Sequence, residues 1–385
     1  MRPLRKSKKL TSHGPRGNIE ELSSLSEISA DSKSDERPAA RLVVMLPALN
    51  EEATIASVLG RIPRQIEGVS EVLLLVIDDG STDRTAELAR RSGAVVVSHP
   101  QNFGVGAAFS TGIERALAMG ADVIVNMDAD GQFQPEDIPA LIHPVLHEGF
   151  GFATCSRFAD PNNLPHMPKI KLWGNRMMCR LVNTITGTTK FSDVSCGFRA
   201  YARDTAMRLN LYGKFTYTQE TLIDLAMKGL AMTEVPLTVR GVREHGKSRV
   251  ASNLWHYGFN TSTIILRAYR DWKPLVFFGL IAIGFLILGL ALIGYVGFWW
   301  LSHGRTAPWT SLITLGGVSL VMGITFGVLA LVADQIGRSR RIQEQLLYLQ
   351  RRQAHEEDSL RRRNKTESFS DHDLHLRHEL KGGSR

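Results

Sequence analysis

Between residues 41 and 130, short apolar blocks alternate with segments of helical spacing. "RLVVMLPAL" (41–49) predicts a buried strand and "NEEATIASVLGRI" (50–62) a helix. "SEVLLLVIDDGS" (70–81) predicts a second strand. "TDRTAELARRSG" (82–93) predicts a helix, with Ser81 or Thr82 as N-cap and Gly93 closing it. "AVVVSHP" (94–100) is a third strand, "GVGAAFSTGIERALAMG" (104–120) a helix and "ADVIVNMDAD" (121–130) a fourth strand. Strands alternating with helices predict an α/β domain over 41–245, a mostly parallel sheet covered on both faces.

Further along, the pattern changes scale. No Asp, Glu, Lys or Arg occurs between Lys273 and Arg305, nor between Arg305 and Asp334. A bilayer crossing needs about 20 apolar residues. Two spans are predicted, at about 275–301 and 309–333, joined by a short loop with Trp299 and Trp300 at an interface. Basic residues flank both outer ends ("RAYRDWK" and "RSRRIQEQ"), whereas the loop carries only Arg305. Positive-inside logic then puts the large domain and both termini in the cytoplasm, as an integral membrane protein. Residues 169–187 are basic and apolar at helical spacing, and 251–272, within an interfacial region 246–272, carries a Trp/Tyr/Phe face; both read as interfacial amphipathic helices. For the first, ordinary core packing is an equal alternative. Residues 335–363 read as a cytoplasmic helix with Ile336, Ile342, Leu346, Leu349 and Gln353 near one side, either a homo-oligomer contact or a solvated helix. Residues 1–40 and 364–385 read as disordered tails.

Composition narrows the classes. The net charge of +8 is concentrated beside the apolar runs, which fits anionic lipid, and no nucleic-acid signature accompanies it. The three cysteines, Cys155, Cys179 and Cys196, form no CxxC pair, so neither a disulfide framework nor a zinc site is predicted. The first residues lack the apolar core of a signal peptide.

Polar residues gather where the predicted strands end: Asn50 and Glu51, Asp78 and Asp79, Asp128 and Asp130. In open parallel sheets, ligands bind beyond those ends. Asp128 and Asp130 suit a hard divalent cation whose shell is completed by substrate phosphates. Asp79 suits a nucleobase ring N–H, while Asp83 fits a turn-and-cap role. No phosphate-binding GxxxxGK[ST] loop is present.

"LPALNEE", "VIDDGSTD", "NFGVGAA", "MDADGQ", "CSRF", "SDVSCGFRAY" and "REHGKSR" occur in that order. Over roughly 41–270 the chain resembles the GT-A family 2 glycosyltransferases, in particular the polyprenyl-phosphate type. The resemblance implies a GT-A nucleotide-sugar-binding fold and inverting transfer of a hexose, from a UDP-hexose or GDP-mannose, to a polyprenyl phosphate. It implies Mg²⁺ or Mn²⁺ held by Asp128 and Asp130. Pro47, Asn50, Glu51 and Asp79 would bind base and ribose, with Gln132 near the diphosphate. Arg157, Lys169, Arg243, Ser248 and Arg249 would contact phosphates, and Asp193 sits where the family has an acidic turn. Cys196 stands where relatives have serine. A processive polysaccharide synthase is the alternative within the superfamily, and "QxxRW", its motif, is not in the chain. A non-catalytic scaffold of the same fold is the other.

Overall fold

In the computed structural model, residues 39–158, 169–187, 191–210, 217–239 and 273–382 are described, with 259, 262–263, 266–267 and 269–271. The expected N-terminal tail falls almost wholly outside them. Among the described residues, seven strands form one sheet: β1 (Ala40–Ala48), β2 (Val69–Asp78), β3 (Val95–Ser98), β4 (Val123–Asn126), β5 (Phe152–Ser156), β6 (Arg199–Ala202) and β7 (Met232–Pro236). Their order is β3-β2-β1-β4-β6-β5-β7. β1 pairs parallel with β2 and β4, β2 with β3, and β5 with β7. β6 alone runs against its neighbours β4 and β5.

Among the described residues, the α-helices with continuous ranges are α1 (Ile55–Arg61), α2 (Thr85–Arg91), α3 (Val105–Ala118), α4 (Ile138–His147), α5 (Lys169–Thr186), α6 (Arg203–Arg208), α7 (Tyr217–Met227), α8 (Pro274–His303) and α9 (Thr310–Gly382). A strand presents alternate side chains to opposite faces. On β1, Leu42, Val44 and Leu46 therefore enter one core with Ile55, Leu59 and Leu141 of α1 and α4. Val43 and Met45 enter another, with Phe109 of α3 and Leu222 of α7. Both faces of the sheet are covered, which explains why β1 reads as a continuous apolar run.

Several expected boundaries move. The helix expected from residue 50 begins at Ile55, because residues 50–54 make turns that serve the strand ends. Ser81 and Thr82 are not the N-cap of α2. That helix starts at Thr85, and the two residues are drawn across to Asn50 instead. Gly93 follows α2 with a left-handed φ of 81°, as a helix-closing glycine does. The tail expected from 364 is corrected too: α9 is helical to Gly382. No Gly or Pro lies between Gly337 and Gly382 to end it.

The helices α8 and α9 are each long and apolar enough to cross a membrane. They pack closely through glycines. A Cβ on Gly289 would lie 2.8 Å from the Leu320 side chain, and one on Gly323 2.7 Å from Leu286. Small residues let apolar helices approach in this way. Past its apolar half, α9 docks on α6 and its surroundings. Arg351 Nη1 donates to the carbonyls of Met207 (3.0 Å) and Leu209 (3.1 Å). Tyr348 bonds Asp204 and lies under the Arg208 guanidinium at 4.1 Å.

Candidate active site

The parallel arrangement brings the carboxyl ends of β1, β2 and β4 to one edge. There the segment after β1 is fastened to the one after β2. Asn50 has a positive φ of 54°, which Asn tolerates better than most residues. In that turn its N–H donates to Ser81 Oγ (2.9 Å), and its Oδ1 accepts from the Thr82 N–H (2.8 Å). The Glu51 N–H donates to Thr85 Oγ1 at 2.8 Å. Pro47, on β1 itself, lies beside Ile77 of β2. Thr54 Oγ1 donates 2.8 Å to the Ala129 carbonyl, tying this pair of turns to the segment after β4.

Asp79 is buried, and its oxygens are engaged within the chain. Oδ1 meets His99 Nδ1 (2.7 Å) and the Phe103 N–H (3.0 Å), and Oδ2 accepts from the Gly104 N–H (2.8 Å). The carboxylate thereby holds the "QNFG" turn. Gly80 is needed beside it, since a Cβ there would stand 2.6 Å from the Gln101 backbone. His99 Nε2 lies 3.1 Å from Thr111 Oγ1, which fixes the ring from its far side.

Beyond β4, Asp130 is 2% exposed and Asp128 half-buried. Asp130 Oδ1 accepts from the Gln132 N–H at 3.0 Å. Asp128 lies against a backbone from the other half of the sheet. A Cβ on Gly197 would be 3.1 Å from its Oδ2 and 3.0 Å from the Tyr217 hydroxyl. Asn126 Nδ2 donates to the Gly197 carbonyl (2.7 Å) and to the Tyr217 oxygen (2.9 Å). Burial, and then the Asp128 charge, push the Tyr217 phenol well above its ordinary pKa, so it stays protonated.

Asp193, fully buried, makes a two-point pair with Arg157: Nε to Oδ2 at 2.6 Å and Nη2 to Oδ1 at 2.9 Å. The same Nη2 donates to Ser195 Oγ at 2.9 Å. Burial would raise the Asp193 carboxyl, but Arg157 outweighs it and holds it below the usual range. Glu234 of β7 accepts from the N–H groups of Ser192 (2.8 Å) and Asp193 (3.0 Å). Burial raises its carboxyl despite these bonds. Arg199, fully buried on β6, ties down the far side of the turn through the carbonyls of Cys196 (2.9 Å) and Thr218 (2.8 Å).

Asn50, Glu51, Asp79, Asp128, Asp130 and Gln132 thus share one edge of the sheet, and Asp193 reaches it through the turn before β6. Arg157 is drawn to Asp193, which commits Nε and Nη2. Lys169 opens α5. Arg243, Ser248 and Arg249 lie outside the described residues. Sequence reasoning missed Asn126, Tyr217, His99 and Glu234. Glu234, a lone acid inside the short strand "MTEVP", carried the clearest signal of the four. Among the described residues, no three His, Cys, Asp or Glu side chains converge as a metal cage. The donor set that is present, one or two carboxylates, fits a cation that takes the rest of its shell from substrate phosphates.

The description "Glycosyl transferase family 2" matches residues 43–209. Glycosyltransferase AglJ of Haloferax volcanii is 30% identical over 74% of this chain and 91% of its own length. This chain belongs to glycosyl transferase family 2. A dolichyl-phosphate hexose transferase of the same organism is 33% identical, over 52% of this chain and 82% of that protein. A UDP-N-acetylglucosamine–dolichyl-phosphate N-acetylglucosaminyltransferase of Methanococcus voltae is 28% identical, over 51% and 84%. In this family 2 chain, the matched span contains every strand-end carboxylate described above and ends before the two long apolar helices.

Proposed function

We propose that this glycosyltransferase moves a hexose from a nucleotide sugar, a UDP-hexose in first place, to a polyprenyl phosphate at the cytoplasmic face of a membrane. The observation that carries this is the joining, in one chain, of an acidic family 2 site to two helices able to cross a bilayer. Relatives named as dolichyl-phosphate sugar transferases support the acceptor class. The exposed apolar face of α5 (Trp173, Met177 and Leu181) supports the interfacial reading of that helix.

Asp128 and Asp130 would hold Mg²⁺ or Mn²⁺, which when bound neutralises the donor's diphosphate. Asn50, Glu51 and the turn held by Asp79 form the nucleotide wall. An oxygen of the lipid phosphate attacks the anomeric carbon, that carbon's bond to the nucleoside diphosphate breaks, and the configuration inverts. A phosphate monoester is already ionised near neutral pH, its second pKa being about 6, so no strong general base is needed. The chain's task is to position two anions and offset their repulsion. Lys169, Arg243 and Arg249 are the basic residues assigned to that offset, Ser248 a hydroxyl donor among them. Arg157, paired with Asp193, fixes the turn that carries Gly197 against Asp128.

The test supplies radiolabelled sugar nucleotides and polyprenyl phosphate to the purified chain in detergent. Label entering organic-extractable lipid, lost on chelation and in Asp130→Ala, is expected. Label entering insoluble polymer instead would favour a processive synthase, and no transfer with any donor would favour a scaffold.

A further inference from the structure

We infer that the outward face of α9 is where a second copy of this chain docks, parallel and in register. The inference rests on the membrane placement proposed above. The helix runs unbroken through its apolar and polar halves. One stripe of it is turned inward throughout. In the apolar half, Gly316 and Gly323 face α8. In the polar half, Glu344, Tyr348 and Arg351 face the catalytic domain.

The opposite stripe is apolar and exposed. Val321, Val328 and Val332 lie along it in the first half. Ile342 (60% exposed), Leu346 (56%) and Leu349 (43%) continue it in the second. Counted through Thr325, Gln335 and Ser339 the positions alternate by three and four residues, the seam of a two-stranded coiled coil. On that count Glu344, Tyr348 and Arg351 occupy positions on the far side from the seam, so docking on the catalytic domain leaves the seam open.

Three features select the occupant. The chain's own domain is already on the other side. Lipid covers the valines but not Ile342–Leu349, which follow the charged run "DQIGRSRR". Two chains held by the same hairpin in one membrane share an orientation, so their α9 helices are parallel and like positions meet. That register sets Arg352 of one copy beside Glu357 of the other, opposite charges at the flanking positions that set partner choice. The neighbouring flank pair, Gln345 and Gln350, is neutral. Confinement to a bilayer raises the effective concentration of the partner, so a short seam suffices.

The test places single cysteines by Leu346→Cys and Leu349→Cys on the seam, and by Leu347→Cys and Ala354→Cys off it. The three native cysteines are buried and serve as the background. Membranes are oxidised briefly with copper phenanthroline, and a carbonate wash of each sample records whether the chain stays in the bilayer. Cross-linking to twice the chain mass, at least fivefold stronger at 346 and 349 than at 347 and 354, is expected. Equal cross-linking at all four, or none from a chain that stays in the pellet, overturns the seam alone. A chain released by carbonate overturns the membrane placement and the seam with it. As a second readout, Leu346→Asp with Leu349→Asp should convert nanodisc-embedded particles from two copies to one while sugar transfer persists. Two copies persisting in that variant overturn the seam.

Discussion

Asp79 and Asp130, on the β2 and β4 side of the sheet, are buried among backbone amides and, for Asp79, a histidine ring. Asp193, on the β5 and β6 side, is buried against a guanidinium. Both arrangements satisfy the hydrogen-bonding need of a buried carboxylate. They differ in what they leave behind. A backbone amide donor is neutral, whereas an arginine guanidinium brings a full positive charge to the carboxylate it pairs with. The first side gathers acids of the kind that suit a cation and the phosphates it carries. The second side is close to neutral and serves as a brace.

That contrast can be broken at several points. The largest effect is expected at Asp130→Asn, which keeps shape and removes charge: a loss of transfer of about 10³-fold with the melting temperature little changed. Initial rates together with a thermal melt check it, and retained activity would sink the cation-holding role. Next, Arg157→Ala leaves Asp193 charged and unpaired in the interior, which costs about 3–5 kcal/mol. The double variant Arg157→Ala with Asp193→Ala should recover part of that loss in denaturant unfolding. A strictly additive result would mean the two do not act as a pair.

A third experiment joins the two sides. Gly197→Ala inserts a methyl group 3.0–3.2 Å from Asp128 and Tyr217. Overpacking of this kind costs about 1–3 kcal/mol. Metal affinity is expected to fall more than stability, because the displaced group is a carboxylate at the mouth and not a core residue. Titration of Mn²⁺ dependence against the melt separates the two effects.

The smallest effect concerns Asp224 on α7. Burial raises its carboxyl to about 6, although Lys228 bonds it at 2.8 Å, and Glu344 of α9 adds a like charge nearby. A carboxyl whose folded pKa lies above its unfolded value favours the folded state at low pH. That contribution declines as pH rises between the ordinary value of 3.8 and about 6, and stays level above it. The melting temperature of the unaltered chain relative to Asp224→Asn should fall across that window. A constant difference would show that the buried acid does not titrate there.

Much of the first side was legible in the sequence. Leu42–Leu46, Leu73–Ile77 and Val123–Val125 are apolar runs that can only be buried strands, and the acids that stop them announce the edge where they end. The second side was not, for physical reasons. β6 is four residues long and begins with Arg199, which is fully buried by binding carbonyls, so no hydrophobic pattern marks it. Its reversal between β4 and β5 is a property of long-range pairing, which local spacing does not encode. Ser81 and Thr82 misled because a hydroxyl before a helix serves equally well as a cap or as a partner for Asn50. The pairing of Arg157 with Asp193 was not legible either, since the two are 36 residues apart in sequence.

The order in which the chain emerges gives the reversed strand a temporal meaning. β4 pairs with β6 in a register of Asn126 with Arg199. Asp128 therefore gains its Gly197 neighbour only after more than sixty further residues have been synthesised. Pairings of that span are slow to form, and domains made during synthesis tend to fold N-terminal part first. The turns after β1 and β2, proposed above as the nucleotide wall, can form early, and the pairing that brings Gly197 to Asp128 comes late. β7 ends at Pro236, well before α8 begins at Pro274. Every strand of the sheet is thus made before the first long apolar helix, and the contacts that α9 makes to α6 and its surroundings come after it.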